Sequence, residues 1–550
     1  MSAAAPVSAG RGEVVAPRPL GRLVRWSIPT LGNYCLLVVI VLLVAQASRF
    51  LLDSDTGWQI RAGDWILAHG RVPRVDVFSY TMAGRPWFAW EWLSDVLMSL
   101  LHRAGGLAGL VGAAIVLLAV TYGALFRVMT WRGADPFTAF VLTLLAAFAS
   151  MIHWLARPHL LSIPLMLLAG TLIEAYRRTG TRWVYALPPL VAVWANLHGG
   201  FVVVVPMLVI YAVGEWLERA AAGETRSPAL RGRLATYALV LALSLLAALA
   251  TPYGTSLFTH LWGFAGNREL LANNLEFRSP DFHTADGRMV EWLLILAAVA
   301  AARAAAGRRY VEAGLALLWT HLTLQSERHV TLAAVVLLPF TAEHLSRGLG
   351  AVVARAAAGA SPLARACAAV HAWAGRMTRV DRQATGALGY LVTLGALLAA
   401  LGGGALDGRL PKGFAAGRFP VRAVDFIASE RAAGRLRGHL FAHDQYGGYL
   451  IYRLYPDVQV FADGRGDMYA QGPVLDEMAA VAAAEPTWSR VLDRYTVEWM
   501  LTPRSSPLAL VAPARGRWRT VYEDSTALVL ARDLTRPIIA RTPAASRRWR

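Results

Sequence analysis

Two carboxylates, Asp53 and Asp55, stand two residues apart at the end of an apolar run in LLDSDTGWQIRAGDWILAHG (residues 51–70). Such a pair could supply a general base for an acceptor hydroxyl, or hold a divalent cation such as Mg2+ or Mn2+. It could equally be the hydrated end of a membrane helix. A second cluster, His153, Arg157 and His159, falls within HWLARPH. Arg157 suits a phosphate, because a guanidinium is always charged and offers a planar fork of donors; interfacial snorkelling is its bland alternative. Asn196 and His198 lie in WANLHGGF, where the glycine pair permits a tight turn or close approach of a ligand. Glu327, Arg328 and His329 complete the set. Charges so near hydrocarbon are costly unless they face a cavity or one another.

What must position these residues is a membrane. Of 550 residues, 56% are hydrophobic and 16% charged, and the mean hydropathy is +0.42. Soluble proteins carry about 25% charged residues, so this chain cannot cover a water-exposed surface of its size. The net charge of +18 would suit nucleic acid, but hydropathy excludes a soluble nucleic-acid binder. The arginines instead form short clusters between apolar runs, the pattern of topology signals and anionic-lipid contacts. Cys35 and Cys367 lie far apart and imply no disulfide framework.

About eleven spans are predicted, at 32–52, 105–128, 136–153, 158–175, 183–197, 200–217, 233–251, 289–304, 309–324, 329–345 and 384–403. With residues 1–31 as a disordered cytoplasmic N-terminus, alternate loops are all arginine-rich, from FRVMTWRGAD to the long 346–383 stretch. The opposite loops hold the histidines, the asparagines and most loop carboxylates, including Glu276 and Asp281. This separation places the C-terminus outside. It requires 90–106, with Glu91 and Asp95, to be an interfacial or re-entrant helix that does not cross.

The first outer loop (53–104) therefore opens on Asp53 and Asp55. Trp58, Ile60 or Arg61, Trp65 and Ile66 follow at near-helical spacing with Arg61 and Asp64 among them, which predicts an amphipathic helix in the headgroup plane. Asp76, Phe78, Tyr80, Trp87, Phe88, Trp90 and Glu91 come next, a set that could line a cavity at the membrane surface. Residues 405–535 read as a soluble α/β domain on the outer face. Its predicted elements are strands at 439–443 and 458–462, a helix at 446–455, an amphipathic helix in VLDEMAAVAAAEPTWSRVLDRY, a strand in VEWMLTP and a closing hairpin. Asp463, Arg465 and Asp467 form a charged turn in FADGRGDMY that could bind glycan, although ordinary loop chemistry is favoured. The basic tail (536–550) is predicted to be disordered.

Over residues 30–345 this arrangement resembles the GT-C superfamily of integral-membrane glycosyltransferases. The resemblance rests on a cytoplasmic N-terminus, one span, an acidic first outer loop with VPRVDVFSYTMAGRPWFAWEWLSDVL, and HWLARPH two spans later. More closely, the chain resembles bacterial multi-spanning proteins grouped there that share WANLHGGF, YGGYLIYRL and VFADGRGDMY. The resemblance implies an α-helical polytopic fold in the inner membrane and transfer of a sugar from a polyprenyl-phosphate carrier on the extracytoplasmic face. The acceptor would be a glycan, lipid or protein of the envelope. It makes Asp53 or Asp55 the base and Arg157 a phosphate contact, with His153 and His159 beside it. The loop around Glu276 and Asp281 would join the substrate site, and Trp58, Asp76, Glu91, Asn196, His198, Glu327, Arg328 and His329 would line the cavity. A non-catalytic scaffold of the same fold is the alternative. A transporter would want midplane ionisable residues and a repeat of the bundle, and neither is present.

Overall fold

The computed structural model describes residues 21–267, 275–356 and 362–533. A backbone in hydrocarbon must satisfy its own polar groups, so apolar runs become helices. The first ten are α1 (Arg22–Ser27), α2 (Leu31–Ala45), α3 (Asp55–His69), α4 (Trp92–Arg132), α5 (Pro136–Ser150), α6 (His159–Thr179), α7 (Leu187–Leu197), α8 (Val204–Ala221), α9 (Pro228–Ala247) and α10 (Ser256–Gly266). Then come α11 (Ala285–Ala306), α12 (Tyr310–Gln325), α13 (Val330–Ala356), α14 (Pro362–Gln383) and α15 (Ala387–Gly402). Eight helical stretches are long and apolar enough to cross a membrane. The three other predicted spans coincide with the shorter helices α7, α12 and α15, of 11, 16 and 16 residues. The chain is a multi-pass α-helical membrane protein with a C-terminal α/β domain.

Two segments differ from the sequence reading because they find partners. Residues 22–27, predicted as disordered, form α1, and Arg25 Nε donates to the Gln383 carbonyl at 2.8 Å. The arginine-rich 346–383 stretch is largely helical, in α13 and α14. Residues 1–20 and the predicted disordered tail lie outside the described residues.

Helix α4 is broken at Gly105 and Gly106, where Gly106 has φ 62° and ψ −159°, a conformation open to glycine and costly for other residues. The break falls where the predicted non-crossing segment ends. Helix α3 does not present a face to lipid headgroups as predicted. Nine of its fifteen residues are buried, because glycines let it approach backbone on two sides. A Cβ at Gly63 would overlap the Asp95 carbonyl of α4, and one at Gly57 would overlap the Gly448 carbonyl.

Gly448 belongs to α17 (Asp444–Leu454), in the C-terminal domain after α16 (Val421–Ala432) and β1 (His439–Ala442). The short α18 (Gly466–Tyr469), α19 (Val474–Ala482) and α20 (Trp488–Arg494) lead to β2 (Val497–Pro503), α21 (Pro507–Ala514), β3 (Trp518–Glu523) and β4 (Ala527–Arg532). The sheet order is β1-β2-β4-β3, with β1 parallel to β2 and the other pairs antiparallel. The predicted strand 458–462 is not part of this sheet. Val460 N donates to the Phe78 carbonyl (3.0 Å) and Tyr80 N to the Val460 carbonyl (3.1 Å), so the segment bridges to the first outer loop. The single helix predicted over 474–495 divides into α19 and α20 at Ala484 (φ 54°), two residues before Pro486, whose ring removes an N–H donor.

A buried ion triad joins the domain to the membrane part. Arg465 Nη1 lies 2.7 Å from Asp76 Oδ1, and Nη2 2.7 Å from Asp463 Oδ2. The Tyr469 hydroxyl donates to Asp463 (2.8 Å), while Asp76 accepts from Ser79 Oγ (2.5 Å) and two backbone N–H groups. Trp87 lies under the guanidinium at 4.5 Å. The clamp on α3 gives a first prediction. Gly448→Ala places a Cβ against the Ser54 carbonyl and should destabilise the full-length protein by ~1–3 kcal/mol. A thermal melt unchanged from wild type would refute the close packing of α3 on α17.

Candidate active site

Arg157, in the short loop between α5 and α6, is the hub of the predicted acidic cluster. Its Nη1 donates to Asp53 Oδ2 and to Glu276 Oε1, both at 2.6 Å, and Nη2 lies 3.1 Å from Asp55 Oδ2. Local chain geometry fixes this arrangement. Asp53 Oδ1 accepts from the Asp55 backbone N–H (2.9 Å), and Asp55 opens α3, where the helix dipole favours a negative charge. The Arg157 loop is tied to both sides of the acidic pair. Ala156 N donates to the Phe50 carbonyl (2.8 Å), and Thr56 Oγ1 donates to the Ala156 carbonyl (3.1 Å).

Beside this hub is a cavity of about 100 Å³. Asp55, Arg157, Glu276, Arg328, Glu91 and Asp95 supply its charged lining. Trp58, Trp87, Phe88, Trp90, Phe264 and Phe277 supply aromatic walls, and the turn Gly464–Asp467 of the C-terminal domain closes it. A Cβ at Gly464 would overlap the Asp55 carboxylate, so glycine is needed for that approach. Several buried polar atoms here have no hydrogen-bond partner among the described residues: Trp58 Nε1, both Asp95 oxygens and Arg157 Nε. Buried polar atoms are normally satisfied, so these mark a place for a polar ligand or water.

Three carboxylates around one guanidinium leave the hub negative. Burial, then the neighbouring Asp53, holds the Asp55 carboxyl well above the usual range, against the pull of Arg157. Arg157 has the opposite effect on Glu276, which is held well below that range. Burial pushes the Glu91 carboxyl up to about 7. The His198 ring, kept neutral by burial, has Nε2 3.6 Å from Glu91 Oε1. Its Nδ1 accepts from Gly200 N (3.0 Å) and lies 2.8 Å from Ser162 Oγ, which assigns the ring proton to Nε2. Among the described residues no three acidic, histidine or cysteine side chains are arranged as ligands of a metal. The Arg157 guanidinium holds the place between Asp53 and Asp55 that a cation would take, so the donor set as folded does not fit one.

Of the predicted site residues, Asp55, Trp58, Glu91, Arg157, Glu276 and Arg328 line the cavity, and Asp53 and His198 contact its wall. The others lie elsewhere, each held by its own contacts. His153 is buried, and its carbonyl is 2.9 Å from His159 Nε2; neither ring lines the cavity. Asn196 accepts from Trp92 Nε1 and donates to the Ala192 and Ala250 carbonyls, which ties α7 to α4. Asp281 caps a turn through His283 N. Glu327 N donates to the Arg278 carbonyl, and His329 Nδ1 is 3.1 Å from the Leu322 carbonyl. Asp76 is consumed by Arg465, behind the Trp87 wall. Asp95 was not among the predicted site residues, and the Gly464–Asp467 turn, weighed as a glycan contact but read as ordinary loop chemistry, does line the cavity. Two glycines inside the charged run ADGRGD were the available signal for the turn.

Glu91 gives a second prediction. With its folded pKa raised, the native state binds more protons than the unfolded state between about pH 4.5 and 7. Stability should therefore fall as pH rises through that window, and Glu91→Gln should flatten the slope. Melting temperatures of both proteins between pH 5 and 8 test this; parallel curves would contradict it.

No protein-family model and no curated sequence matches the chain. By structure it is similar to the archaeal oligosaccharyltransferase AglB from Archaeoglobus fulgidus, solved in complex with an inhibitory peptide and a dolichol-phosphate. The TM-score is 0.53 at 13% identity, over 92% of this chain and 75% of that one. ArnT from Cupriavidus metallidurans in the apo state gives a TM-score of 0.49 at 16% identity, over 90% and 97% of the two chains. The same protein bound to undecaprenyl phosphate gives 0.45 at 14% identity, with the same coverage. The likeness to AglB is one of fold, shared over most of this chain.

Proposed function

We propose that the protein transfers a sugar from a polyprenyl-phosphate carrier to an envelope acceptor, with Asp55 as general base. The observation that carries this reading is the cavity that Asp55 lines together with Arg157 and Arg328, in a chain similar in fold to an oligosaccharyltransferase. The transfer would take place on the extracytoplasmic face of a bacterial inner membrane, with the N-terminus cytoplasmic. Asp53 contributes by capping Asp55 and holding Arg157, and is a positioning residue.

The chemistry follows from these positions. Asp55 takes the proton of an acceptor hydroxyl, whose oxygen attacks the anomeric carbon of the donor sugar. The bond from that carbon to the phosphate oxygen breaks, and the polyprenyl phosphate leaves with the electron pair. A carboxyl held above its usual range is a better proton acceptor than a free one. Charge growing on the phosphate is met by Arg157 and Arg328. Arg157 keeps Nε unpartnered, and Arg328, 4.4 Å over the Phe277 ring, makes no ion pair among the described residues. The flat faces of Trp58, Trp87 and Trp90 beside polar atoms suit a sugar ring. A divalent cation at Asp53 and Asp55 would first have to displace Arg157, and the positive charge in these steps is the guanidinium's.

Asp55→Asn should reduce transfer of labelled sugar from a polyprenyl-phosphate donor by at least ~100-fold, with protein level and insertion unchanged. If Asp53→Asn and Asp55→Asn both left the cellular function intact while removal of residues 405–550 abolished it, a non-catalytic scaffold would be favoured instead. Arg328→Ala should raise the donor KM by roughly 10–100-fold while leaving the acceptor KM near wild type. An unchanged donor KM would remove Arg328 from the phosphate site.

A further inference from the structure

At the other end of the helical bundle is a second, larger cavity of about 400 Å³, lined only by charged side chains. Helix α6 measures the separation: His159, two residues from Arg157, begins it, and Arg177 and Arg178 end it. At ~1.5 Å per residue the two cavities lie roughly 27 Å apart along the bundle. Helices α6, α8, α9 and α13 supply eight of its nine lining residues, and Arg309, just before α12, supplies the ninth.

Six arginines and three glutamates face this cavity. Each of those carboxylates is already engaged. Glu343 lies within 2.6–3.2 Å of Arg178, Arg309, Arg347 and Arg132. Glu218 accepts both nitrogen–oxygen contacts of Arg177 at 3.0 Å, and Glu215 holds Arg233 at 2.7 and 2.9 Å. Beneath the lining, Arg132 is matched by Glu174 and Glu312. On the rim Glu224 pairs with Arg219, while Arg308, donating to the Ala221 carbonyl, makes no ion pair among the described residues. With these neighbours counted beside the lining residues, eight guanidinium groups meet six carboxylates, and the surplus is positive. A carboxylate has about four lone-pair sites, so Glu343 cannot absorb more donors.

The ligand that answers such a surplus is an oxyanion with several acceptor oxygens in the planar fork of arginine, which describes phosphate. Trp131, Trp183 and Trp216, 46%, 72% and 45% exposed, stand at the same end beside Arg132, Arg182 and Glu215. Tryptophans in such positions mark headgroup depth, and basic pockets between spans at that depth take anionic headgroups.

We propose that this cavity binds a phosphate-bearing anion, the chemistry shared by an anionic phospholipid headgroup and free phosphate. The test uses the full chain with the paired variant Arg219→Gln/Arg347→Gln, whose side chains are 50% and 60% exposed and so can be changed without opening the core. Arg103→Gln/Arg435→Gln, 52% and 63% exposed and outside this cavity, is the charge-matched control. Native mass spectrometry after mixing with phosphatidylglycerol or phosphatidylcholine reads the lipid arm; thermal stabilisation by inorganic phosphate in detergent reads the other. Retention of phosphatidylglycerol over phosphatidylcholine, lowered roughly tenfold or more in the first variant alone, supports the proposal and assigns the lipid. Stabilisation by inorganic phosphate without lipid preference, lost in the first variant alone, supports it and assigns the soluble ion. Neither effect, or equal losses in both variants, overturns it.

Discussion

A charge buried in protein must be answered where it is buried, and Arg465 is answered from two parts of the chain at once. Asp463 comes from its own turn, Asp76 from the first outer loop. Removing one member of such a set strands the others, at a cost of ~3–5 kcal/mol, so the two parts are fixed relative to one another. The rest of the candidate site depends on that fixing. It holds Trp87 against the guanidinium, sets Gly464 against Asp55 and makes a wall of the C-terminal turn. Without it, Asp55 and Arg157 would form an open acidic patch.

The same rule governs both ends of the bundle with opposite sign. Around Arg157 the carboxylates outnumber the guanidinium, while around Glu343 the guanidinium groups outnumber the carboxylate. Low-dielectric surroundings make either imbalance expensive unless something else completes it. An acidic centre with cations at its edge suits proton abstraction beside a phosphate. A cationic centre without an apolar wall suits retention of an anion, with nothing there to do chemistry on it.

Much of this was legible in the sequence, for a specific reason. Topology alone sorts loops between two sides, so Asp55, Arg157, Glu276 and Arg328 could be grouped although they are distant in the chain. The apolar runs likewise gave the spans, and each has its helix. Grouping was legible, but depth was not. His153, Asn196, Asp281 and His329 were grouped with them yet are engaged by nearby backbone or by Trp92, contacts that no periodicity announces. Helix α3 misled for a related reason. Its spacing is amphipathic, and only Gly57 and Gly63 hinted that protein, not lipid, would cover both faces. The strand at 458–462 had the right composition, but its partner was Ser79 of the first outer loop instead of a sheet neighbour.

The pairing of Asp76 with Arg465 also says something about how the protein comes into being. The two residues are separated by nearly the whole membrane domain in order of synthesis. A ribosome must deliver every span to the bilayer before the arginine exists, and until then the aspartate has no counter-charge. The reactive cavity is therefore among the last features to close, and a chain released early would be inserted yet lack its completed pocket. Competence is tied to completion, and a fragment reaching only the final span would carry all three acidic residues of the hub without the wall that encloses them.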